Sequence, residues 1–352
     1  MELPCMRKIV FVLFICPVFF VFPQKLDSTK DYWISAIGFW NVENLYDTLN
    51  DKWKNDEDFT PEGVNRWTGE RYWIKIDHLA TVIGEMATDI TPDGLALLGL
   101  CEVENKNVVQ DLISSSHLKK RNYQFVHIEG PDIRGVDPAF IYNPKYFKVK
   151  KAVSYRVKLV TDSAHKTRDI LVVSGFFCGE ALTVLVNHWP SRRGGEMASR
   201  PNRNAAAKVA RKIADSITKA DPLSKIVIMG DLNDDPMNEC VKKCIGTYAD
   251  ISEAKEDQFF NPMEKPFLKG IGTLAWQDSW NLFDQIILNK NWLPDDYESW
   301  QYYKVRIYNK DYLKADHGNF KGYPFRTYSG GSYTGGYSDH FASYIIIAKK
   351  ER

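Results

Sequence analysis

Apolar positions in this chain gather in short, β-branched runs, and each run closes on Asn, Asp, Glu, Gly or His. The clearest is Ile226-Val227-Ile228-Met229, which breaks at Gly230 into Asp231-Leu232-Asn233-Asp234-Asp235. An uninterrupted apolar run bounded by turn residues reads as a buried strand. Similar runs predict strands at 34–40, 95–101, 123–128, 136–142, 147–160, 170–178, 182–186, 282–288 and 342–348. Ile76, Leu79, Ala80, Ile83 and Met86 recur at helical spacing and predict a helix over 72–86. Further helices are expected at 107–115 and 205–220. A polar turn with Asn41, Glu43 and Asn44 follows the first strand, and the charged, Trp-rich residues 50–70 read as a surface loop. Strands alternate with helices, and antiparallel pairs are mixed in. The pattern predicts an α/β chain built as a two-layered β sandwich flanked by helices.

The first 30 residues do not share this pattern. Arg7 and Lys8 precede an almost wholly apolar run at 9–22, suited in length to a secretory signal and short for a bilayer span. Residues 1–30 are therefore expected to be a signal peptide or N-terminal anchor, and 31–352 one domain, exported to the periplasm, the outer surface or the medium. No other run is long enough to span a bilayer. Composition is globular, 44% hydrophobic and 13% aromatic. Net charge is +1, so bulk charge gives no support for nucleic-acid binding, and a local site must carry any such reading. Outside the leader, Cys101 and Cys178 lie in apolar strands and are expected to be buried thiols. Cys240 and Cys244 are four apart on an expected helix, and no zinc spacing is present.

Six stretches share one form, an apolar strand ending in ligand-type residues: Asn41-Val42-Glu43-Asn44, Glu102-Val103-Glu104-Asn105, Asn187-His188, Asp231-Leu232-Asn233, Asp284-Gln285 and Ser338-Asp339-His340. Oxygen donors at the ends of buried strands suit a hard divalent cation, and suit a group that holds water for attack on phosphorus. A basic, Gly-rich segment with Arg192, Arg193, Arg200 and Arg203 follows His188. It reads equally as an electropositive rim for an anionic substrate or as a solvated loop.

In these six stretches, over about 34–347, the chain resembles the endonuclease/exonuclease/phosphatase superfamily. The resemblance implies a four-layer α/β/β/α sandwich, deoxyribonuclease-I-like, and metal-dependent hydrolysis of phosphoester bonds. It implies Mg²⁺, or Mn²⁺ or Ca²⁺, as cofactor, with Glu102, Asn41 and Asp339 at the metal. Asp231 matches the carboxylate that orients or deprotonates the attacking water, and Asn233 the amide that donates to a phosphate oxygen. His340 matches the histidine at the phosphate, Asp284 the carboxylate that orients it, and His188 a second active-site histidine. Arg134, Arg192 and Arg193 are the candidate substrate-binding cations. Two residues depart from the pattern. Cys101 stands before the glutamate, and is harmless there if its side chain faces the core. Gln285 follows Asp284, a departure that touches substrate choice more than chemistry. The expected protein is a monomeric phosphodiesterase or nuclease. A phosphatase or phospholipase-C-type enzyme, and a non-catalytic binding module of the same fold, stay open.

Overall fold

The computed structural model describes residues 26–162, 165–253 and 255–351. The first 25 residues of the expected leader lie outside them.

Thirteen strands form two large sheets. In chain order they are β1 (Tyr32–Leu45), β2 (Leu97–Val103), β3 (Gln124–His127), β4 (Asp137–Tyr142), β5 (Phe147–Tyr155), β6 (Ile170–Phe177), β7 (Glu180–His188), β8 (Lys225–Asp231), β9 (Thr247–Tyr248), β10 (Phe259–Phe260), β11 (Asp284–Leu288), β12 (Gln301–Tyr308) and β13 (Ala342–Lys350). One sheet has the order β12-β13-β1-β2-β4-β3, the other β5-β6-β7-β8-β11-β10-β9. Three helices cover them: α1 (Gly69–Glu85), α2 (Lys106–Ser114) and α3 (Glu196–Ala220).

Side chains alternate across each strand, and three apolar layers result. In β1, Ala36 and Trp40 face α1 and α2 in the outer cluster with Leu79, Ile83 and Val109. Ile37 and Phe39 face inward, against Val184, Val186, Val227, Met229 and Ile286 of the other sheet. Ile226 and Ile228 of β8 turn the opposite way, onto Ala206, Ala210 and Ala214 of α3. The architecture is thus the expected α/β/β/α sandwich, and no helix among the described residues is long and apolar enough to cross a membrane.

Four departures from the sequence pattern have physical causes. β1 does not stop at Trp40. It runs to Leu45 with a bulge between Asn41 and Leu45, where Glu43 and Asn44 take φ of 52° and 50°. The region 50–70 is not all surface, because Trp67 is fully buried, donates to the Tyr46 carbonyl at 3.0 Å and joins the stacked Tyr46–Phe59 pair. α3 starts at Glu196, with Pro201 inside it. Its first turns are held by Arg203, which is fully buried, donates to Ser199 Oγ and the Glu196 carbonyl, and pairs with Asp234 at 2.8 Å. Finally β12 is a strand, and Lys304 and Arg306 alternating with Val305 and Ile307 are its signature. Cys101 is buried, Cys178 half-buried beside the β6–β7 turn, and Cys240 and Cys244 are free thiols on a π-helix.

Asp137 at the start of β4 accepts a hydrogen bond from Gly130 N and so holds the loop 129–135. Burial, aided by Glu129, pushes its carboxyl up to about 7. A folded-state pKa above the ordinary value favours folding below that ordinary value, and the advantage is lost as pH rises to 7. Asp137→Asn should therefore flatten the fall in thermal midpoint between pH 4 and 7 and raise the midpoint at pH 8; an unaltered pH profile in thermal unfolding would contradict this. A second expectation concerns Gly230, where a Cβ would lie 2.3 Å from the Asn187 carbonyl oxygen. Backbone cannot yield as a side-chain tip does, so Gly230→Ala should lower stability by about 1–3 kcal/mol in denaturant unfolding, and turnover should fall with it because Asp231 is the next residue.

Candidate active site

Asp231 is the last residue of β8. It is in register with His188 across the parallel β7–β8 ladder, and with Asp284 across the antiparallel β8–β11 ladder. Backbone pairing alone thus sets three candidate residues side by side. The other sheet supplies Asn41 from the edge of the bulge in β1, Glu102 from the end of β2, and His340 from the approach to β13.

The side chains meet. Asn41 Nδ2 donates to Asp231 Oδ2 at 3.0 Å, and Asn233 N donates to Asp231 Oδ1 at 2.9 Å. His340 Nδ1 and Asp284 Oδ2 are 2.7 Å apart and wholly buried. The other His340 nitrogen, Nε2, points toward Asp231 Oδ2 at 3.9 Å, and His188 Nε2 lies 3.7 Å from that same oxygen. Glu102 Oε2 accepts from Asn44 N at 2.9 Å. Its Oε1 has His188 Nε2 at 3.7 Å and Arg134 Nη2 at 3.9 Å, both beyond hydrogen-bond range.

Charge follows from burial and neighbours. Burial alone would lower the His340 pKa, but the carboxylates of Asp284, Asp339 and Asp231 outweigh it and hold the imidazole well above its usual range. His188 is the opposite case: burial, then the cations Arg168, Arg134 and His340, push it well below, so it is neutral. Asp231 is raised to about 6 by burial, with His340 pulling the other way. Two histidines at one site therefore hold different charge states.

Backbone strain concentrates at the same place. Glu43, Asn44, Glu102 and Asn233 all have φ between 50° and 63°. Left-handed conformations at non-glycine residues cost of order 1–3 kcal/mol each and persist where their surroundings hold them. The clamp on this side is Lys75 of α1. It is fully buried, donates to Thr327 Oγ1 at 2.7 Å and the Tyr337 carbonyl at 2.6 Å, and lies 3.7 Å from Glu43 Oε2. Glu43 Oε2 also accepts from Thr327 N, and Ser338 Oγ donates to the Asn41 carbonyl. The aromatic, Gly-rich segment before Asp339 is thereby pinned. Sequence reasoning missed Lys75, yet a signal existed: it sits three after Tyr72 and four before Leu79, within the apolar stripe of α1. Arg168 and Asp132 were missed too. Arg168 joins Asp132 Oδ2 at 3.2 Å to the Trp189 carbonyl at 2.9 Å and steadies the end of β7.

Not every predicted residue converges. Asp339 pairs with Arg326 at 2.8 Å, and its other oxygen is 3.9 Å from His340 Nε2. The Asn233 amide donates to the Trp189 carbonyl at 2.9 Å, which leaves one N–H for another acceptor. Arg134 reaches Glu102 from the solvent side. Arg192 does not reach out to a substrate: it bonds Asp234, Asp235, Asn238 and the Asn233 carbonyl, and stacks on Phe283. Arg193 is exposed. Gln285 is fully buried and bridges the Asp234 carbonyl to Asn261, so it shapes the loop and not a substrate pocket. Trp189, next to His188, is likewise buried.

The donors fit a hard divalent ion. Glu102 Oε1 makes no hydrogen bond, and both it and Asp231 Oδ2 lie 3.7 Å from His188 Nε2, so two carboxylate oxygens, the chemistry such an ion prefers, share one end of the sandwich. Cys101, His188 and Asp231 also offer ligand atoms within 4.8 Å of one another. That trio is a poor alternative, because burial holds the Cys101 thiol well above its usual range and a neutral thiol does not suit a hard cation.

The two-sheet sandwich and this constellation define a metal-dependent phosphoesterase. The chain belongs to the Endonuclease/Exonuclease/phosphatase family, whose model matches residues 36–349. Solved structures share the fold at low identity. Truncated TDP2 of Caenorhabditis elegans is 15% identical with a TM-score of 0.50, over 90% of this chain and 97% of that one. A mannosyl-6-phosphatase of Bacteroides thetaiotaomicron is 12% identical with a TM-score of 0.52, over 89% and 99%. The human Nocturnin catalytic domain with bound sulfate is 15% identical with a TM-score of 0.51, over 94% and 99%. No curated protein matches the sequence.

The Asp284–His340 contact makes a quantitative expectation. Asp284→Asn should slow hydrolysis of a chromogenic phosphodiester by roughly tenfold to a thousandfold, and His340→Ala by at least as much. Because the two act as one unit, the double variant should be little slower than His340→Ala. Losses that multiply, measured at saturating metal, would show that they act independently.

Proposed function

We propose that this enzyme is an exported, Mg²⁺-dependent phosphodiesterase that cleaves nucleic acid. The observation that carries the phosphodiester reading is the buried Asp284–His340 pair aimed at Asp231, with the free Oε1 of Glu102 nearby. Glu102, Asn41 and Asp339 would hold Mg²⁺, with Mn²⁺ or Ca²⁺ as alternatives. When bound, the ion supplies a Lewis acid that offsets phosphate charge and eases deprotonation of water. Asp231, raised to about 6, accepts a hydrogen bond from Asn41 and is oriented to accept a proton from water. The cationic His340 stabilises charge that builds on the phosphoryl oxygens, and the spare N–H of Asn233 acts with it. Asp284 fixes the His340 ring through Nδ1, so Nε2 faces the reacting group. The neutral His188 offers a polar contact without competing for the anion with a second positive charge.

Two observations support nucleic acid as the substrate class. Arg134 places a partly exposed cation beside Glu102. D. rerio TDP2, similar in fold, is known in complex with a single strand DNA product. The apolar run at 9–22 behind Arg7 and Lys8 supports export.

Hydrolysis of bis-p-nitrophenyl phosphate with and without EDTA tests the chemistry. Plasmid DNA, RNA, sphingomyelin and sugar and inositol phosphates, offered side by side, test the substrate. Nucleic acid should turn over fastest, and a clear preference for any of the others would overturn the assignment. Glu102→Gln should lower metal-supported turnover by more than about 100-fold, since even residues behind a metal ligand cost 10–100-fold. Its thermal midpoint should barely move, because an amide oxygen can still accept from Asn44 N. An active Glu102→Gln enzyme would remove Glu102 from the metal site.

A further inference from the structure

Next to the metal-binding end of the sandwich lies a cavity of about 420 Å³ that the chemistry above does not use. Its walls are Trp53 and Lys54 on one side, Asp132 and Ile133 on another, and His165 and Lys166 on a third. We infer that this cavity is a substrate subsite that receives the base and phosphate of a nucleotide flanking the scissile bond. The inference rests on the nucleic-acid reading and gives it a location.

Three features argue for a built recognition site. The first is exposed apolar surface. Trp53 is 78% exposed and Ile133 45% exposed, although indole and branched aliphatic groups normally bury most of their area. Both side chains line this one cavity, so a ligand seated there would cover both. The second is rigidity. Trp53 N donates to Asp51 Oδ1, and Asn55 N donates to the Ile133 carbonyl at 2.7 Å. Lys54 Nζ donates to the carbonyls of Gly130 and Asp132, so the two walls are stitched together across the cavity floor. The third is charge. Lys54 is balanced by Glu129 at 3.3 Å, and Asp132 is balanced by Arg168 and Arg134. That leaves Lys166 as the cation of the lining, suited to a phosphate, with the Trp53 indole, whose ring has the Lys52 ammonium 5.0 Å from its centre, as the surface suited to a base.

Position completes the argument. Asp132, Ile133 and Arg134 are consecutive. The first two line the cavity, and the third comes within 3.9 Å of Glu102 Oε1. Substrate in the cavity therefore adjoins the phosphate that the metal-binding end would hold. The volume lies within the range of small-ligand pockets. Stacking on one indole with one or two cations at the edge is tolerant of sequence, so the subsite predicts broad base preference.

The test compares two single-stranded DNA oligonucleotides, one with normal bases and one with tetrahydrofuran abasic positions flanking the cleavage site, each with the wild-type enzyme, Trp53→Ala, Trp53→Phe and Lys166→Ser. Wild type should favour the base-bearing strand. In Trp53→Ala that preference should fall by roughly 5- to 100-fold, the range expected for losing one base–aromatic stack, through KM more than kcat. Trp53→Phe should restore most of it. Lys166→Ser should raise KM for both strands and make it less sensitive to salt. An undiminished base preference in Trp53→Ala overturns the subsite while leaving the nuclease reading in place. A wild-type enzyme that hydrolyses bis-p-nitrophenyl phosphate but neither strand overturns the nuclease reading and the nucleotide occupant together. A Trp53→Ala defect confined to sugar phosphates assigns the cavity to a sugar and overturns the base.

Discussion

β8 pairs in parallel with β7 and antiparallel with β11, and Asp231 is the terminal residue of both ladders. A strand that slips by one residue reverses which side chains face the core. Here that would turn Val227 and Met229 out of the packing between the sheets and drive Ile226 and Ile228 away from α3. The two apolar layers thus lock the register of β8, and the register places His188 and Asp284 on either side of Asp231. The geometry of the candidate site is in this sense a by-product of core packing, and Gly230, packed against the Asn187 carbonyl, is where the two meet.

The loops that complete the site are held by buried charge. Lys75 with Glu43 ties α1 to the bulge in β1, Arg168 with Asp132 ties two loops together, and Arg203 with Asp234 ties α3 to the loop after β8. Removing water from a charge is unfavourable, so such pairs are weak contributors to net stability, but breaking one leaves an uncompensated ion and is strongly unfavourable. They suit positions where one loop conformation must be selected. That is the situation here, where Glu43, Asn44, Glu102 and Asn233 sit in left-handed backbone. The same pairing explains why most of the arginines that follow His188 in sequence are not free to meet a substrate.

Electrostatics then divides the labour between two histidines. Both are buried, and burial alone would leave both neutral. His340 is hydrogen-bonded to Asp284 at 2.7 Å with two more carboxylates nearby and is charged, whereas the carboxylates nearest His188, Glu102 and Asp231, stop at 3.7 Å, so burial prevails there, reinforced by Arg168, Arg134 and His340. One fold-level decision, which strand end lies beside which loop, produces an acid-like group and a neutral polar group within reach of the same Asp231 oxygen.

Much of this was legible in the sequence. Apolar runs ending in Asn41, Glu102, His188, Asp231, Asp284 and His340 announce strands whose ends carry oxygen and nitrogen ligands, because buried strands must be apolar and their ends need not be. The sandwich followed from strand and helix periodicities. Three things needed the tertiary structure. Trp53 and Trp67 are equivalent in sequence, yet one is a core residue and the other lines a cavity, since only packing tells which indole finds a covered surface. Arg192 looked like a phosphate ligand because local charge is visible in sequence while its partners Asp234, Asp235 and Asn238, some forty residues away, are not. Lys75 lay unnoticed in a helix because its ligands come from residues 327 and 337, and a contact across that separation has no local pattern. Sequence by itself determined what each strand end could bind; the fold decided which ends face one another, because only three-dimensional packing brings distant registers together.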